Sequence, residues 1–267
     1  MSASQNQKLN SEDAFFENLT MGLTKTLANV PRITNINIEK RPPCEKAQIA
    51  NWEQRHCVYL PEDMKKFYMS TDGFVFHWCY QYASNDSRKV GNINIPHLVQ
   101  IILLRDNIDT SVLENSKQPN NGPNLTPKSK IFELNIVSEA AKVCFVYENS
   151  GVQNPKIYLL ELSSFNSLTN VFSVKWQFLA DSFSEYLRMA IAHLGLPYWE
   201  LCFSSIGLPS WAEQLFLLLA PHLLDDPNNS TRRGKTIKSF TEHPYNTLDP
   251  NIFRVRPKTN KTNTKTK

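Results

Sequence analysis

The sequence predicts a chain of mixed helices and strands with an additional C-terminal helix and a basic tail. Three observations predict it. Segments with the 3.6-residue apolar spacing of amphipathic helices lie towards both ends, short β-branched and aromatic runs lie between them, and from residue 227 the composition turns polar and basic. The expected organisation is a flexible leader over 1–12, one folded domain over 13–226 and a disordered tail over 227–267.

Within the folded part, AFFENLTMGLTKTLANV (14–30) carries Phe15, Phe16, Leu19, Leu23, Leu27 and Val30 at helical spacing, and Pro31 ends it. ITNINIE (33–39) reads as a strand. CEKAQIANWEQRH (44–56) reads as a helix turning Ala47, Ile49 and Trp52 inward. LPEDMKKFYMSTDGF (60–74) is denser in signals. Pro61 suits the first helical position, Glu62 and Asp63 lie in the first turn, and Lys65 and Lys66 follow them, the order that the helix dipole favours. Met64, Phe67 and Tyr68 form its buried stripe, and Gly73 is the expected left-handed stop. Each carboxylate in this stretch thus has a structural task. FVFHWCYQY (74–82) is a strand too aromatic to face water on both sides.

NINIPHLVQIILLR (92–105) reads as a short strand and an apolar segment, and the Pro- and Asn-rich stretch over 106–130 as a mobile loop. IFELN (131–135), AKVCFVYE (141–148) and KIYLLEL (156–162) are strands. In DSFSEYLRMAIAHLG (181–195), Ser182 and Glu185 make a capping box. Phe183, Tyr186, Leu187, Ala190, Ile191 and Leu194 make its apolar face, and Gly195 stops it. SWAEQLFLLLAPHLL (210–224) is the last helix.

Composition narrows the function classes. Of 267 residues, 41% are hydrophobic and 20% charged, within the range of ordinary globular proteins. The longest apolar run, LFLLLA (215–220), is far short of a membrane span. MSASQNQKLNSED lacks the basic-then-apolar plan of a secretory signal, so the five scattered cysteines are expected to be free thiols in a reducing, intracellular compartment. No two of the eight glycines stand closer than Gly195 and Gly207, which rules out the G-x-G-x-x-G and Walker loops. RRGKT (232–236) ends like a Walker loop, but Asn229 occupies the place of its first glycine. His56-Cys57 and His77-x-Cys79 lack paired metal-ligand spacing and read as buried thiols beside aromatic residues. There is no G-x-S-x-G elbow, and nothing marks a carboxylate pair for acid–base work. The expectation is therefore no catalytic residue, no metal and no cofactor.

The charge is divided unevenly. The tail holds ten Lys and Arg against Glu242 and Asp249, leaving nineteen basic and twenty-three acidic residues in 1–226. Arg232, Arg233, Lys235 and Lys238 make one basic cluster, and Arg254, Arg256 and Lys258 make a second beside Phe253. Two readings of this tail stand side by side: a solvated disordered terminus, and an electrostatic attachment to an acidic partner. Ser230, Thr231, Thr236, Ser239 and Thr241 would let phosphorylation lower its charge. Trp52 and the aromatics of 74–82 are candidate partner contacts but are assigned to the core, and Trp199 is the better choice for an exposed anchor, its alternative being packing of the 210–224 helix.

A Trp52-bearing helix running to Leu60-Pro61-x-Asp63-x-x-x-Phe67, a close on Asp72-Gly73, and a late helix opened by Ala180-x-Ser182-Phe183 together resemble the SUKH superfamily. Its members include domains related to yeast cell-wall synthesis regulators and bacterial toxin-immunity proteins. Over the whole chain, the aromatic strand and basic tail included, the sequence resembles more closely a family of subunits of the complex that adds glutamate side chains to tubulin tails. The 106–130 loop, the 210–224 helix and the tail depart from a minimal SUKH domain. The resemblance implies an α+β domain in which helices pack against a sheet. It also implies a non-catalytic adaptor, with ATP-dependent ligation belonging to a tubulin tyrosine ligase-like subunit, and other polyglutamylase subunits and tubulin or microtubules as further partners. It implies a place in the cytoplasm and cytoskeleton, at the centrosome or microtubule-organising centre and the cilium base. No membrane attachment is expected. The rivals are a nucleic-acid-binding protein that uses the basic tail, and an enzyme with an unmarked carboxylate site.

Overall fold

The computed structural model describes residues 13–104, 122–149, 154–162 and 174–224. The expected leader, most of the 106–130 loop and the basic tail lie outside the described residues. The fold is α+β, with two antiparallel sheets. The first has the order β1 (Ile33–Glu39), β2 (Phe74–Ala83), β3 (Asp86–Ile95); the second runs β4 (Lys130–Ser138), β5 (Ala141–Tyr147), β6 (Lys156–Leu162), β7 (Val174–Ala180). Helices α1 (13–19), α2 (Leu23–Ala28), α3 (Lys46–His56) and α4 (Glu62–Tyr68) precede or interrupt the first sheet. Helices α5 (Phe183–Ala192) and α6 (Ser210–Leu219) follow the second.

The single helix expected over 14–30 is two helices. Met21 (φ 52°) and Gly22 (φ 74°) take left-handed conformations, and the Thr20 hydroxyl donates back to the Phe16 carbonyl at 2.9 Å. The break leaves the predicted stripe on one side, because Phe16, Leu19, Leu23 and Leu27 are all buried. In α3, Ile49 and Trp52 are buried as expected, but Ala47 is exposed. Two residues before Ile49 is about 200° around the helix, on its far side. Helix α4 ends at Tyr68, with Met69 as its right-handed C-cap, so Gly73 does not stop it. Gly73 (φ 86°) instead launches β2 in a place where a Cβ would stand 2.6 Å from Arg41 Nη1 and 2.7 Å from the Ile95 carbonyl. The final helix also divides, into α6 and a 3-10 turn over Pro221–Leu224, since Pro221 cannot continue the α-helical ladder.

Among the strands, β3 is longer than expected and β7 is additional. β3 begins at Asp86 rather than near 92, making a hairpin with β2 in which Trp78 lies opposite Gly91. β7 was not read from the sequence at all. Strand β2 alternates as its composition demands: Phe74, Phe76, Trp78 and Tyr80 are buried, while Val75, His77 and Cys79 are half-buried. The second sheet is apolar on both faces. Val143, Phe145, Ile157 and Leu159 join the main core, and Cys144, Val146, Tyr158, Leu160 and Trp176 form a second cluster on the opposite face.

The Trp78–Gly91 pair ties the first sheet to α5. The indole N–H donates to the Leu194 carbonyl at 2.8 Å, and the Asn92 N–H donates to the Gly195 carbonyl at 2.7 Å. A Cβ on Gly91 would lie 1.8 Å from the indole nitrogen. A Gly91→Ala change is therefore expected to cost about 2–3 kcal/mol through overpacking against a buried ring. Urea unfolding of the full chain checks this, and an unchanged midpoint would show that the ring can step aside.

Candidate functional site

The carboxylates of the 60–74 stretch are engaged in structure. Asp63 Oδ1 accepts the Met64 N–H at 2.8 Å, and Oδ2 accepts the Ser184 N–H at 2.9 Å, from a residue 121 positions later. One carboxylate thus serves the first turns of both α4 and α5, where amides lack intrahelical partners and the dipole favours negative charge. At the start of α5, Ser182 Oγ accepts the Glu185 N–H at 3.2 Å, while Glu185 Oε2 reaches the Asp181 N–H at 2.9 Å, one residue beyond an ordinary capping box. Phe67 and Phe183 pack ring to ring with centroids 4.9 Å apart. Asp63 and Phe67 of one helix and Ser182 and Phe183 of the other, distant in sequence, therefore meet around the junction of two helices, while the Leu60 N–H is held by Glu53 Oε1 of α3 at 3.0 Å.

Asp72 anchors the other end of the motif. Its Oδ1 accepts the Leu98 N–H and its Oδ2 pairs with His97 Nδ1, both at 2.9 Å, while its own N–H donates to the Pro42 carbonyl. Burial opposes its ionisation, but the Leu98 amide, the Cys44 thiol and His97 together hold its carboxyl below the usual range. Cys44, Asp72 and His97 are the components of a nucleophilic triad in an unproductive order. The thiol faces the carboxylate rather than the imidazole, and burial with that negative neighbour pushes Cys44 up to about 12. Cys44 is not an activated nucleophile.

The five cysteines are free, and no group of three or more His, Cys, Asp or Glu among the described residues is arranged to hold a metal ion. Cys57 is exposed, where burial was expected, because it caps α3 in a left-handed conformation (φ 50°). Among the described residues no helix is long and apolar enough to cross a membrane. The seven basic tail residues named above lie outside the described residues.

Trp199, expected as an exposed anchor, is buried. It stacks on His193 with ring centroids 4.9 Å apart and lies 5.5 Å from Tyr186. The exposed tryptophan is Trp211, 53% accessible, edge-on to Tyr198 at 5.6 Å. It opens α6, whose inner face is Ala212, Leu215 and Phe216 and whose outer side shows Trp211, Leu217 and Leu218. An apolar SWAEQLFLLLA helix has more hydrophobic residues than one buried face needs, which was the available sign of a second contact surface.

Beside Trp211 lies a concave pocket of about 220 Å³ between β3 and β4, closed by the turn over 196–200 and lined by Asn92, Asn94, Asn135, Tyr186, Tyr198 and Glu200 among others. Sequence reasoning missed Glu200. It is only 3% exposed, and its Oε1 accepts from the Tyr186 hydroxyl at 3.2 Å and from Asn135 Nδ2 at 3.5 Å. Burial raises its carboxyl to about 7, against the lowering effect of a backbone N–H and of those two donors.

Residues 43–189 match the model of the SMI1 / KNR4 family (SUKH-1). The chain is also similar to proteins named tubulin polyglutamylase complex subunit 2. The human protein is 30% identical over 258 residues, covering 91% of this chain and 80% of its own length. The mouse protein is 31% identical over 91% of this chain and 81% of its own, and the rat protein 31% over 77% and 71%.

Two outcomes follow from these carboxyls. Asp63→Asn keeps the size of the side chain but removes its charge from two helix starts, and should cost about 1–2 kcal/mol in urea unfolding. A loss no larger than that of a surface Asp→Asn change would show the Asp63 bridge to be idle. For Glu200, the folded pKa stands above the unfolded one, so its contribution is complete below about 4.5 and is lost as pH rises through about 7. Glu200→Gln should remove that slope and leave the chain more stable than the native one at pH 8, by on the order of 2–3 kcal/mol. A variant less stable than the native chain at pH 8 would overturn this assignment.

Proposed function

This chain belongs to the SMI1/KNR4 (SUKH-1) family and to the group of tubulin polyglutamylase complex subunit 2 proteins, and from that membership we propose that it is a non-catalytic adaptor of a tubulin polyglutamylase complex. The observation that carries the proposal is similarity at about 30% identity over most of both chains to relatives named as subunits of that complex. The chemistry of the described residues supports the non-catalytic part. Asp63 and Asp72, the carboxylates of the family motif, are occupied by backbone amides of other elements, and the glycine spacing allows no G-x-G-x-x-G or Walker loop.

In this reading a tubulin tyrosine ligase-like subunit supplies ATP-dependent ligation, and the chain helps to position it. The clusters Arg232, Arg233, Lys235, Lys238 and Arg254, Arg256, Lys258 suit an acidic polymer, and tubulin tails are of that kind. Such attraction weakens with salt. The adaptor would work in the cytoplasm on the cytoskeleton, at the centrosome or microtubule-organising centre and the cilium base. The nucleic-acid reading is not favoured, because the relatives are named for a tubulin-modifying complex.

Affinity purification of the tagged full chain from ciliated cells tests the proposal. A tubulin tyrosine ligase-like subunit should co-purify, and its absence from repeated purifications would count against the adaptor. Purified chain incubated with ATP, glutamate and microtubules should incorporate no glutamate, whereas turnover without a partner would make it the enzyme.

A further inference from the structure

The pocket beside Trp211 has a composition that the adaptor reading does not use. Its lining contains one carboxyl, Glu200, and no Lys, Arg or His. Buried carboxylates in proteins are ordinarily paired with cations, and this one has neutral donors instead: a backbone N–H, with the Tyr186 hydroxyl and the Asn135 amide on Oε1. Tyr198 and the exposed Trp211 add aromatic rings to the same lining, and the amides of Asn92, Asn94 and Asn135 add polar groups along the two strands. At about 220 Å³ the space falls below the roughly 300–1,000 Å³ of small-molecule sites, and is scaled to one side chain.

We propose that this pocket is a recognition site for a cationic side chain, arginine foremost, presented by a partner polypeptide, with Glu200 as its counter-charge and Trp211 and Tyr198 as its aromatic wall. A guanidinium suits it better than an ammonium, because the planar group can stack on an indole or phenol and still direct its N–H fork at a carboxylate. Docking would bring a positive charge to a carboxyl that burial holds close to neutrality at physiological pH, and so ionise it. The exposed Leu218, two turns along α6 on the same side, extends the apolar surface beyond Trp211 for the residues flanking the arginine. The assignment to a partner, rather than to a free small molecule, rests on the reading of this chain as a complex subunit.

The test is calorimetric titration of the isolated full chain with acetyl-Gly-Gly-Arg-Gly-Gly-amide and with the same peptide carrying neutral citrulline for arginine. Saturable binding of the arginine peptide is expected, with the citrulline peptide weaker by about tenfold or more. Glu200→Gln and Trp211→Ala should each weaken the arginine peptide by a similar factor. Because Glu200→Gln is expected to stabilise the fold at pH 8, lost binding by that variant at pH 8 is not lost folding. Equal affinity for the two peptides, or no saturation by arginine peptide up to about 10 mM, overturns the site. A full chain with Arg232→Gln, Arg233→Gln, Lys235→Gln and Lys238→Gln separates the sources of the cation. Unchanged affinity leaves the pocket to a partner, and a gain of about tenfold gives it to the chain's own tail and overturns the partner assignment. The titration involves no other subunit, so it can fail while complex membership stands, and failed co-purification leaves it untouched.

Discussion

One carboxylate holds two helix starts together. Asp63 accepts amides from the first turns of α4 and α5, and those helices lie more than a hundred positions apart, Ser184 following Asp63 by 121. The first turn of any helix leaves amide hydrogens without partners, and burying two such ends side by side would ordinarily be costly. A single negative charge placed between them satisfies a donor of each and lies at the positive end of both dipoles. Phe67 and Phe183 then close the apolar side of the same junction. Helix α5 is thereby fixed against α4, and through the Trp78–Leu194 bond its far end is fixed to the first sheet.

The same economy of carboxylates explains why a motif rich in acidic residues does not make an active site here. Asp72 is surrounded by a backbone amide, a thiol and an imidazole, all serving it as donors. A group held ionised by three donors is a poor proton shuttle and a good cross-link. Cys44, a nearby thiol, is made inert by its burial and by that contact. Glu200 is the contrasting case: its deeper burial outweighs its donors, so it stays close to neutrality, and it lines a pocket. Asp63 and Asp72 are thus saturated by donors from other elements, whereas Glu200 is held near neutrality beside a pocket.

Much of the fold was legible because local spacing and tertiary burial agreed. The stripes Phe16, Leu19, Leu23, Leu27 and Phe183, Tyr186, Leu187, Ala190 were readable as helix faces, since a helix with one apolar side has one place to put it. The failures came where local rules were satisfied in more than one way. Thr20, Met21 and Gly22 fit a helix by spacing, and only the packing of Leu23 after a left-handed turn breaks it. Val174, Trp176 and Phe178 alternate as a strand does, yet without β6 beside them the run is too short to stand apart from its surroundings.

Sequence by itself determined the Ser182 cap, most of the apolar helix faces, the absence of G-x-G-x-x-G and Walker loops and the concentration of positive charge after residue 227, because each is a matter of residue types and local spacing. Only the tertiary structure decided that Trp199 is core and Trp211 is surface, since the two indoles sit in similar local sequence and differ in what packs over them. It also decided the fate of the carboxyls. Asp63 and Glu200 look alike along the chain, but an amide 121 residues away saturates one, and burial beside Tyr186 and Asn135 keeps the other close to neutral. Solvation and partner geometry set a carboxyl's chemistry, and both are properties of the folded surroundings rather than of neighbours in sequence.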